Sequence, residues 1–105
     1  MPDIYSKDNY YEAIFQLRPY KKEIYDFIIK QIEKNNVLIS KEVKLKTGID
    51  FYLTSRKFTT KLGKLLQKTF KGKSTVSKSL YGTNRMTSKL VYRVTVCFRL
   101  KEEPL

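Results

Sequence analysis

Residues 48–70, GIDFYLTSRKFTTKLGKLLQKTF, change their hydrophobic period half-way along. Ile49, Phe51 and Leu53 alternate with Asp50 and Tyr52, the period of two that puts every second side chain on one face of a strand. Thr54 or Ser55 then offers a side-chain oxygen to cap a helix. From Phe58 onward the apolar residues Phe58, Leu62, Leu65 and Leu66 fall three and four apart, the spacing of one helical face. Phe70 lies near the end of that helix and Gly72 is its expected stop. Gly63 sits inside it and by intrinsic propensity weakens it by roughly 1 kcal/mol against alanine. A strand that runs directly into an amphipathic helix leaves two apolar faces to bury, and a sheet covered by helices buries both.

The flanking sequence supplies the remaining elements. Upstream, Val37, Ile39, Val43 and Leu45 share one parity with Lys41 as an exception, and Thr47-Gly48 makes the turn of a hairpin into the quoted strand. Before them Tyr20, Ile24, Phe27, Ile28 and Ile32 follow Pro19 at helical spacing as far as Asn35-Asn36, a left-handed stop, with Lys22, Asp26 and Lys30 on the solvent side. Tyr11, Ala13, Phe15 and Leu17 alternate as a first strand. Downstream come a polar strand near Ser74 to Tyr81, a turn from Gly82 to Ser88, and a strong strand from Leu90 to Leu100. The order is β-α-β-β-α-β-β: an α+β two-layer sandwich with two helices on one face of an antiparallel sheet. Its first six elements follow the split arrangement of ferredoxin-like domains. The last strand either adds at an end of the sheet or displaces the polar strand toward an edge. With 105 residues, residues 1–105 form a single domain with a short polar N-terminal tail and an acidic C-terminal one.

Composition removes several function classes. No apolar run approaches the roughly 20 residues of a membrane-spanning helix, and the polar start from Met1 to Tyr10 is unlike a signal peptide, so a cytoplasmic location away from membranes is expected. One cysteine and no histidine leave neither an intramolecular disulfide nor the ligands of a structural zinc site. The missing histidine also removes the commonest general base. Cys97 therefore reads as a packing residue rather than a nucleophile. No phosphate-binding loop, dinucleotide fingerprint or carboxylate pair beyond Glu102-Glu103 is present. The expectation is a protein that is not an enzyme and takes no cofactor or metal.

Charge is the positive signal. Lys and Arg number 22 against 10 Asp and Glu, a net +12, which favours a polyanionic partner because each cation that meets a phosphate releases a counterion. From Met1 to Leu53 nine basic residues face eight acidic ones; from Thr54 to Leu105 there are thirteen and two, and the two are Glu102 and Glu103. At 100° per residue Lys57, Lys61, Lys64 and Lys68 fall within about 60° of one another beside the apolar stripe of the second helix. Arg56, Lys71 and Lys73 extend the charge at its ends. Like charges one turn apart repel, so this unmixed stripe is read as a phosphate-contacting flank. A second candidate is the open face of the sheet, where Tyr52, Arg93 and Arg99 could stack and pair with unstacked bases. Arg85 and Lys89 in the 82–89 turn form a third, a basic hairpin tip.

The stretch Gly48 to Phe70, together with Thr87 to Leu100, TSKLVYRVTVCFRL, resembles the NMD protein family. Gly48, Asp50, Tyr52, Ser55 and Lys57 match the family's strand and serine-capped basic helix. Arg93, Val94, Val96 and Phe98 match its closing strand, and Gln16-Leu17-Arg18 looks like its link into the same region. Family members are export adaptors of the large ribosomal subunit in eukaryotes, with shorter archaeal relatives. They carry cysteine-pair zinc modules and further β-rich domains, so the resemblance implies a stand-alone archaeal relative of one central domain without the zinc modules. It also implies association with ribosomal RNA or the large ribosomal subunit in ribosome biogenesis. No contact residue comes from the family, and the lysine flank rests on charge.

The expected function is thus an RNA-binding or ribosome-associated module. A protein-interaction adaptor for an acidic partner protein is the alternative, followed by a DNA-coating protein and a metal-independent RNA-processing enzyme. Since the chain has no histidine and one cysteine, chelation should leave its circular dichroism unchanged; loss of helix signal on adding chelator would contradict the reading.

Overall fold

The computed structural model describes residues 11–83 and 90–100. The elements are β1 (Ala13–Arg18), α1 (Lys22–Lys34), β2 (Ile39–Leu45), β3 (Gly48–Leu53), α2 (Arg56–Thr69), β4 (Gly72–Thr83) and β5 (Leu90–Leu100). They form a five-stranded sheet in the order β2-β3-β1-β5-β4. The α+β class and the element order are those expected, and the last strand has displaced the polar one to the edge.

Sequence and topology explain that displacement. β4 reads GKSTVSKSLYGT and offers little to bury, whereas β5 supplies Val94, Val96 and Phe98. Placing β5 inside therefore buries the apolar strand and leaves the polar one outside. The sheet is then mixed rather than wholly antiparallel as expected. β3 runs antiparallel to β1, and the crossover through α2 returns β4 in the direction of β3. β5 is antiparallel to β4 and so must lie parallel to β1. Gly82 and Thr83 belong to β4, and the rest of the expected 82–88 turn lies outside the described residues.

Cross-strand pairs put the core on one face. Phe15 stands opposite Phe51 on one side and Val96 on the other, and Leu17 opposite Ile49 and Phe98. All of these are fully buried, with Ile24, Ile28 and Ile32 of α1 and Leu62 and Leu66 of α2 in the same cluster. Tyr25 of α1 stacks on Phe51 at 5.7 Å between centroids and donates its hydroxyl to Glu42 Oε1 at 3.1 Å. Phe27 meets Phe70 edge-on at 5.5 Å, joining α1 to the end of α2.

Three local expectations change. The pairing of β2 with β3 shifts register between Ile39 and Lys41, a bulge that reverses the faces beyond it. Ile39 is in the core, while Lys41, Val43 and Leu45 stand on the open face opposite Tyr52, Asp50 and Gly48; Lys41 is thus no exception. α1 begins at Lys22 rather than at Pro19, which follows a cis peptide bond and leaves Tyr20 exposed. Its end at Asn35, with Asn36 at φ 55°, is the left-handed stop expected. α2 ends at Thr69 with Phe70 as C-cap, so Gly72 opens β4 rather than stopping the helix.

Gly63 is the clearest case of packing overruling propensity. A Cβ there would lie 2.7 Å from Val96 Cγ1, and a β-branched side chain on a strand has little freedom to move aside. The usual helix gain of Gly→Ala should therefore invert: Gly63→Ala should lower urea stability by about 1 kcal/mol or more through overpacking. Combined with Val96→Ala it should cost less than the two single changes together, measured as a double-mutant cycle.

Candidate nucleic-acid interface

The second helix is started by Ser55, whose Oγ accepts from the Phe58 amide at 3.2 Å. Thr54 is occupied elsewhere, its Oγ1 accepting from the Leu38 amide at 3.1 Å. α2 then buries Thr59, Leu62, Gly63 and Leu66. The small pair Thr59 and Gly63 lets it sit low on the sheet, so its contact face is rotated away from the expected one: Phe58 is half-buried and Leu65 is 37% exposed. In consequence Lys57, Lys61, Lys64 and Lys68 do not flank the buried stripe. At 100° per residue the two sets point about 180° apart, so the four lysines form the outer crest of the helix. All four are exposed.

One side of this crest overlooks a groove of about 490 Å³ between α2 and the paired strands β4 and β5. Lys57, Thr60, Lys61 and Lys64 come from the helix, Lys78 from β4, and Tyr92 with Val94 from β5. Arg56 also lines it but is held internally, 3.6 Å from Glu12 Oε1, with Nη1 donating to the Tyr92 carbonyl at 3.2 Å. Lys78 and Tyr92 were not singled out from sequence. The signal was there in the parity of Ser74, Val76 and Lys78, which pair with Phe98, Val96 and Val94 and so face the helix layer. On the other side of the crest a groove of about 360 Å³ toward α1 has Phe58, Leu62 and Leu65 among its lining, and Lys61, Lys64 and Lys68 belong to it too.

The open face of the sheet holds its cations differently. Lys41 Nζ lies 4.3 Å from the centroid of the Tyr52 ring, Tyr11 meets the same ring edge-on at 4.9 Å, and the Arg93 guanidinium stands 3.9 Å over Tyr11. Arg93 Nη1 also donates to the Tyr11 hydroxyl at 3.0 Å. Tyr52 and Arg93 are thus parts of an internal aromatic–cation ladder. At the opposite end of that face Arg18 pairs with Asp50 at 2.7 Å. Arg99 stands opposite Lys73 on β4 and beside Arg18 on β1. Lys73 is therefore on the sheet face and not an extension of the helix crest, while Lys71 stays in the bend that follows α2. Cys97 is half-buried on that face, opposite Gln16 and Thr75. Arg85 and Lys89 lie outside the described residues. Among the described residues no helix is long and apolar enough to cross a membrane.

The fold is thus a small α+β domain whose second helix carries a crest of four lysines with no ion-pair partner among the described residues. The family model described as NMD3, second domain, matches residues 10–100. The chain belongs to that family, which is related to ribosome biogenesis. The comparison with curated proteins found no match. Most residues that carry the family resemblance have structural work. Gly48 packs where a Cβ would collide with the Leu17 carbonyl oxygen, Asp50 holds Arg18, Tyr52 lies in the ladder and Ser55 caps α2.

Spacings of three and four residues place Lys57, Lys61, Lys64 and Lys68 in successive repulsive pairs, each costing a few tenths of a kcal/mol. Salt screens such exposed pairs. The thermal midpoint should therefore rise by a few degrees between about 10 and 200 mM sodium chloride, and Lys61→Gln with Lys64→Gln should flatten that dependence. A midpoint that falls with salt would show that attractive surface pairs dominate instead.

Proposed function

We propose that this chain is a non-enzymatic RNA-binding module that associates with the large ribosomal subunit or its ribosomal RNA in the cytoplasm, using no cofactor. The observation that carries the reading is the α2 crest, four exposed lysines at one-turn spacing, joined across the groove by Lys78. A polyanion with regularly spaced phosphates turns their mutual repulsion into attraction, and counterion release adds an entropic gain. The family's connection with ribosome biogenesis makes RNA the polyanion of choice over DNA.

A second reading is favoured by one observation. The groove toward α1 combines apolar Phe58, Leu62 and Leu65 with a rim of lysines, a surface that suits an amphipathic acidic segment of a partner protein. Purification from cells with and without nuclease separates the two, since a protein partner survives digestion.

With about five cations on phosphates, log K against log salt should slope near −3.5 on single-stranded RNA and near −4.5 on a duplex. Lys61→Glu with Lys64→Glu should keep the thermal midpoint within a few degrees, as exposed substitutions do, yet abolish binding at moderate salt. The control is Lys73→Glu with Arg99→Glu, an equal change of charge at paired positions on the other side of the sheet. Should the control pair abolish binding while the crest pair leaves it intact, the crest is not the binding surface.

A further inference from the structure

We infer that the groove between α2 and the β4–β5 pair is a site for an unstacked nucleobase of single-stranded RNA, with Tyr92 as its stacking platform. The inference rests on the RNA-binding reading and adds the kind of RNA.

Two tyrosines compete for this role, and their surroundings distinguish them. On the open face, Tyr52 already has Lys41 over its ring at 4.3 Å and Tyr11 against it at 4.9 Å, so a base would have to displace the protein's own cation. Tyr92 is 39% exposed, and among the described residues no ring or cation is stacked on it. Its backbone is nevertheless fixed: its carbonyl accepts from Arg56, which Glu12 holds in turn, and the strand around it pairs with Leu80 of β4. An open ring on a rigid strand loses little freedom when a base stacks on it.

The groove has the size and charge for a nucleotide. Its volume of about 490 Å³ falls in the range of small-ligand sites, roughly 300–1,000 Å³. Lys57, Lys61 and Lys64 line it from the helix and Lys78 from the edge strand, so two separate elements bring cations to the groove that holds the ring. The phosphates before and after a base held there would meet ammonium groups, the combination that characterises single-strand binding surfaces. A duplex keeps its bases stacked and could use the crest alone.

The test uses the full chain with a ten-nucleotide mixed-sequence RNA, the same strand in a duplex, and an abasic oligonucleotide of equal phosphate count. Tyr92→Leu keeps an apolar side chain against α2 and removes the ring face; Tyr92→Phe keeps the face. Tyr92→Leu should weaken single-strand binding about tenfold, leave duplex binding and the salt slope unchanged, and be rescued by Tyr92→Phe. The wild-type chain should lose a similar factor on the abasic strand. If Tyr92→Leu fails to fold, the abasic comparison on the wild-type chain decides. Equal affinity of the wild-type chain for the abasic and natural strands overturns the base site, as does an unchanged affinity in folded Tyr92→Leu; a steep salt slope in either case leaves the RNA reading standing. If the wild-type chain binds neither RNA with a salt-dependent affinity, the RNA reading itself fails and takes the base site with it.

Discussion

At the end of β1 the Arg18 guanidinium reaches Asp50 Oδ1 at 2.7 Å and donates to the carbonyls of Leu17 and Ile49 at 3.0 and 3.2 Å. It spans from β1 to β3 at the point where Gly48 passes too close to Leu17 for any side chain. Both charged groups are largely withdrawn from solvent, where an ion pair with further hydrogen bonds strongly disfavours any slip that would separate it. The lock specifies the register of β1 against β3, Leu17 opposite Ile49. Since β5 pairs with the other edge of β1, that register also brings Phe98 level with Leu17. The three buried rows under the helices follow from it.

From this frame the position of the cationic helix is decided by small residues. Thr59 and Gly63 point at the sheet, and Thr59 returns its hydroxyl to the Ser55 carbonyl at 2.7 Å, so it enters the core with its polar atom satisfied. Gly63 then rests against Val96. Had the larger Phe58 and Leu65 occupied the centre of the contact, the helix would turn on its axis and tip its lysines toward the sheet. As built, they point into solvent with Lys78 and Tyr92 beside them.

The basic residues thus divide into two kinds. Arg18, Arg56, Arg93 and Lys41 are spent within the molecule on a carboxylate, a carbonyl or an aromatic ring. The lysines of the α2 crest protrude, in a segment without one carboxylate between Phe51 and Lys101. Three of the four described arginines, Arg18, Arg56 and Arg93, are structural cations, in keeping with a planar group of several fixed donors, while the flexible point charges of lysine line the crest. A count of charge alone cannot separate the two roles, which is why the sequence reads Arg56 as an extension of the crest and Arg93 as a contact on the open sheet face.

The sequence alone determined the seven elements and their order, the α+β class, the family, and the helix on which unopposed lysines gather. All of these depend on periodicity, capping residues and local charge, which are properties of near neighbours. Tertiary structure decided what depends on long-range pairing. It chose the insertion of β5 between β1 and β4, hence the parallel pair, because burial had to be shared out between an apolar and a polar strand. It set the bulge beyond Ile39 that sends Lys41 to Tyr52. It rotated α2, because the close approach at Gly63 outweighs the larger apolar stripe. Finally, it joined Lys78 and Tyr92 to the lysines of α2, since two residues distant in sequence from that helix share a groove with it only once the strands have paired.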